Sequence, residues 1–229
     1  LPHPSSWIFI GLSTITQVFY MSLVAAAYKS GDMSEAYPIM RGTPPLLVAL
    51  VSAPLIGEVM GWRSWVGVML ICSGVLAMAL EARRRNGGTS SKTALLALAN
   101  AGFIAAYTII DGVGVRASGH TLSYTLWLFL INAFPLAGWA LYREPDRFLN
   151  YVRNHWRPSL VGGLGTLGSY GLALWAMTMA PIAVVAALRE TAILFGVLIS
   201  VFILKEKVGL PRFLAAGLIV LGAITLRLA

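Results

Sequence analysis

Charge is what this sequence has least of. Only 11% of its 229 residues are Asp, Glu, Lys or Arg, and nine are acidic, whereas a soluble domain carries roughly a quarter. So few charges cannot cover a water-facing surface, which excludes an ordinary soluble domain. Cysteine is nearly absent too: Cys72 stands alone inside an apolar run, so no intrachain disulfide can form. The three histidines (His3, His120 and His155) are scattered. No H-E-x-x-H, G-x-S-x-G, Walker or paired-cysteine pattern occurs, so no cofactor, metal site or enzymatic activity is expected. The chain opens on Leu1 rather than Met, without the basic region and cleavage site of a signal peptide, and an upstream segment is expected.

Apolar residues make up 58% of the chain, with a mean hydropathy of +0.77. A bilayer admits only helices or closed barrels. The apolar runs are long and lack period-two alternation, which selects helices. Eight spans are predicted, at roughly 7–28, 33–56, 63–81, 92–112, 120–142, 158–180, 182–204 and 209–228. Between the fifth and sixth, Phe148, Val152 and Trp156 fall at i, i+4 and i+8 among Arg147, Arg153 and Arg157, the outline of an amphipathic interfacial helix.

The net charge of +8 does not point to nucleic acid, because the basic residues sit in short connections and not along one hydrophilic face. Alternate connections carry twelve Lys and Arg on one side: Lys29, Arg83, Arg84, Arg85, Lys92, Arg143, Arg147, Arg153, Arg157, Lys205, Lys207 and Arg212. The other side has three, Arg63, Arg116 and Arg227. By the positive-inside rule the richer side is cytoplasmic.

The chain also repeats itself. Shifted by 148 residues, 37–80 aligns with 185–228 without a gap, and 11 of the 44 positions are identical. The matches include Arg41/Arg189, Thr43/Thr191, Ser52/Ser200, Glu58/Glu206, Gly61/Gly209 and Gly74/Gly222. Five crossings separate the copies, and an odd number inverts the second in the membrane. Inverted repeats are the architecture of many secondary transporters. The fold expected is therefore an all-α integral membrane protein of about eight transmembrane helices forming parts of two inverted repeats.

Pro38-Ile39-Met40-Arg41, Gly57-Glu58, Val185 through Thr191, Leu204-Lys205-Glu206 and Gly217 through Gly222 resemble the EamA-type drug/metabolite transporter family. Tyr107 through Arg116 is similar to the first helix of that family's second half. The resemblance implies two five-helix repeats. Here 1–91 would be the remainder of the first, three helices without the initial two, and 92–229 the whole of the second. It also implies export of small organic metabolites across the inner or plasma membrane, with membrane lipid and a small-molecule substrate as partners.

Arg41 and Arg189 lie roughly 10–12 Å into their spans at 1.5 Å per residue. An arginine at that depth must face protein or a wet cavity, where it can hold an anionic group in a bidentate fork or serve as a structural cation. Glu190 follows Arg189, but Gly42 takes the equivalent place in the first copy. A carboxyl on one side only is a candidate for proton coupling, or for a salt bridge to either arginine. Asp111, at the end of the predicted fourth span, is a site candidate or a helix-terminus residue. Tyr20, Tyr107, Tyr170 and Trp175 complete the substrate-binding candidates, and Gln17, Asn100, Asn132 and Ser169 are cavity-lining or interhelical residues.

Other expectations are structural. Glu58 and Glu206 stand where they can cap a helix. Gly67/Ala215 and Gly74/Gly222 keep small residues two turns apart, suited to close packing. Gly163 through Gly168 matches G-x-G-x-x-G, but it opens a membrane span and follows no strand, so it reads as a glycine face for packing or bending. Two other classes compete with a transporter. A membrane enzyme acting on lipid-like substrates would need carboxylates or histidines clustered at one interface. A non-transporting scaffold would leave buried Arg41 and Arg189 unexplained.

Overall fold

The computed structural model describes residues 1–30, 33–85, 91–203, 205 and 209–229. Among them are ten α-helices: α1 (Trp7–Ser30), α2 (Met33–Gly42), α3 (Pro44–Ile56), α4 (Trp62–Arg85), α5 (Ser91–Ser118), α6 (Thr121–Arg143), α7 (Pro145–Met177), α8 (Ile182–Arg189), α9 (Ala192–Phe202) and α10 (Leu210–Arg227). No strand occurs among the described residues. Among the described residues, seven stretches are long and apolar enough to cross a membrane, and Trp62–Met78 in α4 is a shorter apolar helix.

Two predicted spans are broken. In the second, α2 ends at Gly42 and α3 starts at Pro44. Pro44 and Pro45 have no N–H, so the carbonyls of Met40 and Arg41 lose the amide donors a continuous helix would supply. In the seventh, the amides of Glu190 and Thr191 reach back only three residues, to the Ala187 and Leu188 carbonyls at 3.0 and 3.1 Å. Such tight turns close the C-terminus of an α-helix. The 148-residue shift superposes the two breaks: Arg41-Gly42-Thr43 on Arg189-Glu190-Thr191.

Two boundaries need correction. The fourth span continues to Ser118, so Asp111 lies well inside α5 and not at its end. The helix expected around 148–156 forms as the first part of α7, which runs on through a kink at His155 (φ −122°, ψ 20°). Pro158 explains the kink, because it withholds the amide that would bond to the Asn154 carbonyl.

The chain forms two compact units, one of residues 1–18 and 110–179, the other of residues 19–109 and 180–229. Both copies of the repeat, 37–80 and 185–228, belong to the second. There the equivalent helices α4 and α10 pack on each other through their small residues. A Cβ added to Gly74 would sit 2.7 Å from the Ala215 carbonyl oxygen, and one at Gly222 would sit 2.8 Å from the Gly67 carbonyl oxygen and from the Ile71 nitrogen. Residue numbers rise along α4 as they fall along α10, so the helices are antiparallel, as inversion of the repeat requires. The expected close packing is present at this seam.

The glycines of α7 behave differently. Gly162, Gly163, Gly165 and Gly168 have no neighbour within 4 Å of an added Cβ, because that stretch of α7 is exposed. Among the described residues these four glycines form no packed face, which bears on the packing expected of them and not on the bending.

Turn chemistry follows the repeat as well. Gly57 ends α3 in the left-handed region at φ +69°, and its equivalent, Lys205, holds φ +54°. Glu58 is a capping residue, but of an unexpected helix: its Oε2 accepts the Ile182 N–H at 2.9 Å, at the start of α8. It thereby satisfies one of that helix's unpaired amides. Glu206 lies outside the described residues.

Candidate substrate-binding site

The two breaks put charge at the middle of the second unit. Arg41 closes α2, and Arg189 closes α8. Glu190, buried at the α8–α9 break, has Oε1 3.9 Å from Arg41 Nη1. Both Arg41 and Arg189 lie within electrostatic reach of its carboxylate. The acid beside the second arginine thus pairs across the repeat with the first arginine, and one salt bridge weighed from sequence is present.

Tyrosine side chains lie near Arg41. The Arg41 guanidinium carbon is 5.5 Å from the Tyr37 ring centroid, a cation–π distance. Tyr20 and Tyr107 meet edge-on at 5.7 Å, and both lie within electrostatic reach of Arg41. Five predicted site residues therefore converge here: Arg41, Arg189, Glu190, Tyr20 and Tyr107. The formal charge of two arginines and one glutamate is positive, which favours an anionic or carboxylate-bearing ligand. Arg41 keeps part of its surface open, with 35% of the side chain exposed against 9% for Glu190. Of the two, Arg41 is the more accessible.

Gly42 explains why the acid appears only once. A Cβ there would lie 3.0 Å from Leu76 Cγ and 3.1 Å from Val75 Cγ1. The α4 side chains fill the position that would correspond to the Glu190 side chain. Tyr37 was missed from sequence, although its place four residues before Arg41 puts both on one helical face.

Asp111, Tyr170 and Trp175 belong to the first unit. Asp111 is fully buried; Tyr124 donates to its Oδ1 at 3.2 Å and Tyr170 to its Oδ2 at 2.5 Å. The carboxylate thus ties α5 to α6 and α7. Gly114, three residues along, makes room for the Tyr124 hydroxyl, which would clash with any Cβ there. Arg116 Nε donates to the Met177 carbonyl at 2.7 Å, capping α7. Trp175 is exposed and lines an apolar groove of about 430 Å³ with Thr125 and Gly168. Gln17 bonds locally to Ser13. Asn100 is buried, and neither end of its amide has a hydrogen-bond partner among the described residues.

Helices broken at mid-span, inverted equivalents packed antiparallel and paired charges at the breaks define a class: multi-pass membrane carriers built from inverted repeats. The model of the EamA-like transporter family matches residues 1–80 and again 91–228. The chain belongs to that family, one of membrane transporters of small solutes within the drug/metabolite transporter superfamily. No curated protein matches it. A solved structure described as "Crystal structure of protein" is similar over 100% of this chain and 77% of its own, at 23% identity and a TM-score of 0.75. That likeness concerns the fold.

Proposed function

We propose that this chain is a secondary transporter that exports small organic solutes across the inner or plasma membrane by alternating access. Arg41 and Arg189 hold the anionic group of the solute, Tyr20, Tyr37 and Tyr107 pack against its organic part, and Glu190 carries the coupling proton. The observation that carries this reading is the pairing of Arg41 with Glu190 across two repeat-related helix breaks. Inverted repeats supply two equivalent packings, so a site at their breaks can open to either side in turn.

Coupling follows from competition. A proton on Glu190 and a solute on Arg41 and Arg189 do not occupy the site together, so each displaces the other and solute movement is exchanged for protons. Reconstitution into liposomes with a panel of labelled organic anions, zwitterions and neutral solutes tests the reading. Uptake of at least one solute class, driven by a pH gradient, is expected. Glu190→Gln should abolish gradient-driven accumulation while leaving solute exchange at a measurable rate. Accumulation that persists in this variant would remove Glu190 from the coupling step.

A further inference from the structure

Helix α7 is longer than a membrane core is thick. Its 33 residues reach about 50 Å at 1.5 Å per residue, against a ~30 Å hydrocarbon core. Residues 158–177 alone cover about 30 Å, and they include no charged side chain. Residues 145–157 remain, with Asp146, Arg147, Arg153 and Arg157 among them. The kink at His155 stands at the junction, where the helix changes direction.

The remaining part is two-faced. At about 100° per residue, Phe148, Leu149, Tyr151, Val152 and Trp156 fall within an arc of about 160°. The four charged residues, with Asn150 and Asn154, fill the opposite arc. All of the apolar set except Phe148 are exposed. Standing upright in water would leave that strip solvated, whereas lying flat puts it at the boundary of headgroups and acyl chains.

The charges say which surface it meets. Arg147 is held by Glu144 at 2.9 Å, and Asp146 stands in the first turn of the helix, where the helix dipole favours an anion. Arg153 and Arg157, four residues apart on one face, have no carboxylate at ion-pair distance among the described residues. The Arg157 guanidinium lies 5.3 Å from the Trp156 ring, a basic and aromatic pairing suited to a membrane interface. A second copy laid on the strip would bring further arginines beside these, whereas an anionic lipid surface neutralises them. The count of basic residues makes this side cytoplasmic, and the cytoplasmic leaflet carries a negative surface potential.

We propose that residues 145–157 of α7 lie along an anionic leaflet, with Val152 and Trp156 in its apolar boundary and Arg153 and Arg157 on phospholipid phosphates. Nitroxide labels test it in the full chain, on Val152→Cys and Asn154→Cys, each with Cys72→Ala. The bilayers are phosphatidylglycerol mixed with phosphatidylcholine, or phosphatidylcholine alone. In the mixed bilayer the Val152 label should collide with oxygen and be shielded from a water-soluble nickel complex, and the Asn154 label should show the reverse. In phosphatidylcholine alone the Val152 label should be mainly in water. Arg153→Gln should lower the ratio of immersed to solvated Val152 label about fivefold, the effect of one basic residue near an anionic surface, and Arg153→Lys should keep that ratio. Equal immersion in the two bilayers, a solvated Val152 label in both, or an unchanged ratio in Arg153→Gln would each overturn the assignment. So would spin–spin broadening between Val152 labels, the mark of a second copy on the strip. No readout here depends on solute movement.

Discussion

The two broken helices share a sequence register but not a cause. The first is interrupted by Pro44 and Pro45, which remove amides from the ladder whatever surrounds them. The second has no proline; it breaks at Glu190 and Thr191, where the amides turn back three residues and a buried acid faces Arg41. One break is thus covalent and the other depends on interactions. The first half therefore presents a guanidinium alone at its break, and the second a guanidinium with a carboxyl beside it. A repeat pair used this way is symmetric in architecture and asymmetric in chemistry.

The seam between α4 and α10 holds the two copies together and gives the largest expected effect. Gly222→Leu would drive a side chain into backbone atoms of Gly67 and Ile71 and should lower stability by about 3 kcal/mol. Gly217→Leu on the same helix has open space and should leave the thermal midpoint in detergent near that of the wild type. Equal midpoints for the two variants would break the claim that the copies meet at this seam.

The asymmetry can be challenged directly. Gly42→Glu would restore the acid to the first copy, where Leu76 and Val75 already occupy the space. It should lose about 2 kcal/mol, read from the same melting curves. A stable Gly42→Glu protein would mean that crowding is not what keeps the first break free of an acid.

The smallest effect lies in the equivalent turns. Lys205 holds a left-handed conformation that glycine adopts freely, so Lys205→Gly should gain about 1 kcal/mol. Gly57→Ala, at the matching turn, should lose about as much. Shifts of the same sign for both would contradict the equivalence of the turns.

Much of this was legible in the sequence, and the failures have physical causes. Hydropathy located the spans because a bilayer tolerates little else, and the shift of 148 residues brings Arg41, Arg189 and the packing glycines into register from sequence alone. The first break could have been read from Pro44-Pro45, but the second leaves no such mark, since only a tertiary contact fixes where Glu190 points. Asp111 was assigned to a helix end because the predicted fourth span stops at 112; α5 runs on to Ser118, and Gly114 leaves the space that the Tyr124 hydroxyl takes. The partner of Glu58 was hidden for a similar reason, because the helix it caps lies 124 residues away in sequence. Side chains that act across the repeat are invisible to periodicity.

The central claim is that Arg41 and Arg189 act on solute through their planar forks. Its most direct measurement is solute exchange in liposomes by Arg41→Lys and Arg189→Lys, with melting curves to confirm that both variants fold. Lysine keeps the charge but not the bidentate geometry, so exchange should fall by about tenfold or more in each variant while the melting midpoints stay close to that of the wild type. Exchange at the wild-type rate in both, retained again in Arg41→Gln and Arg189→Gln, would show that the arginines only hold the broken helices in place.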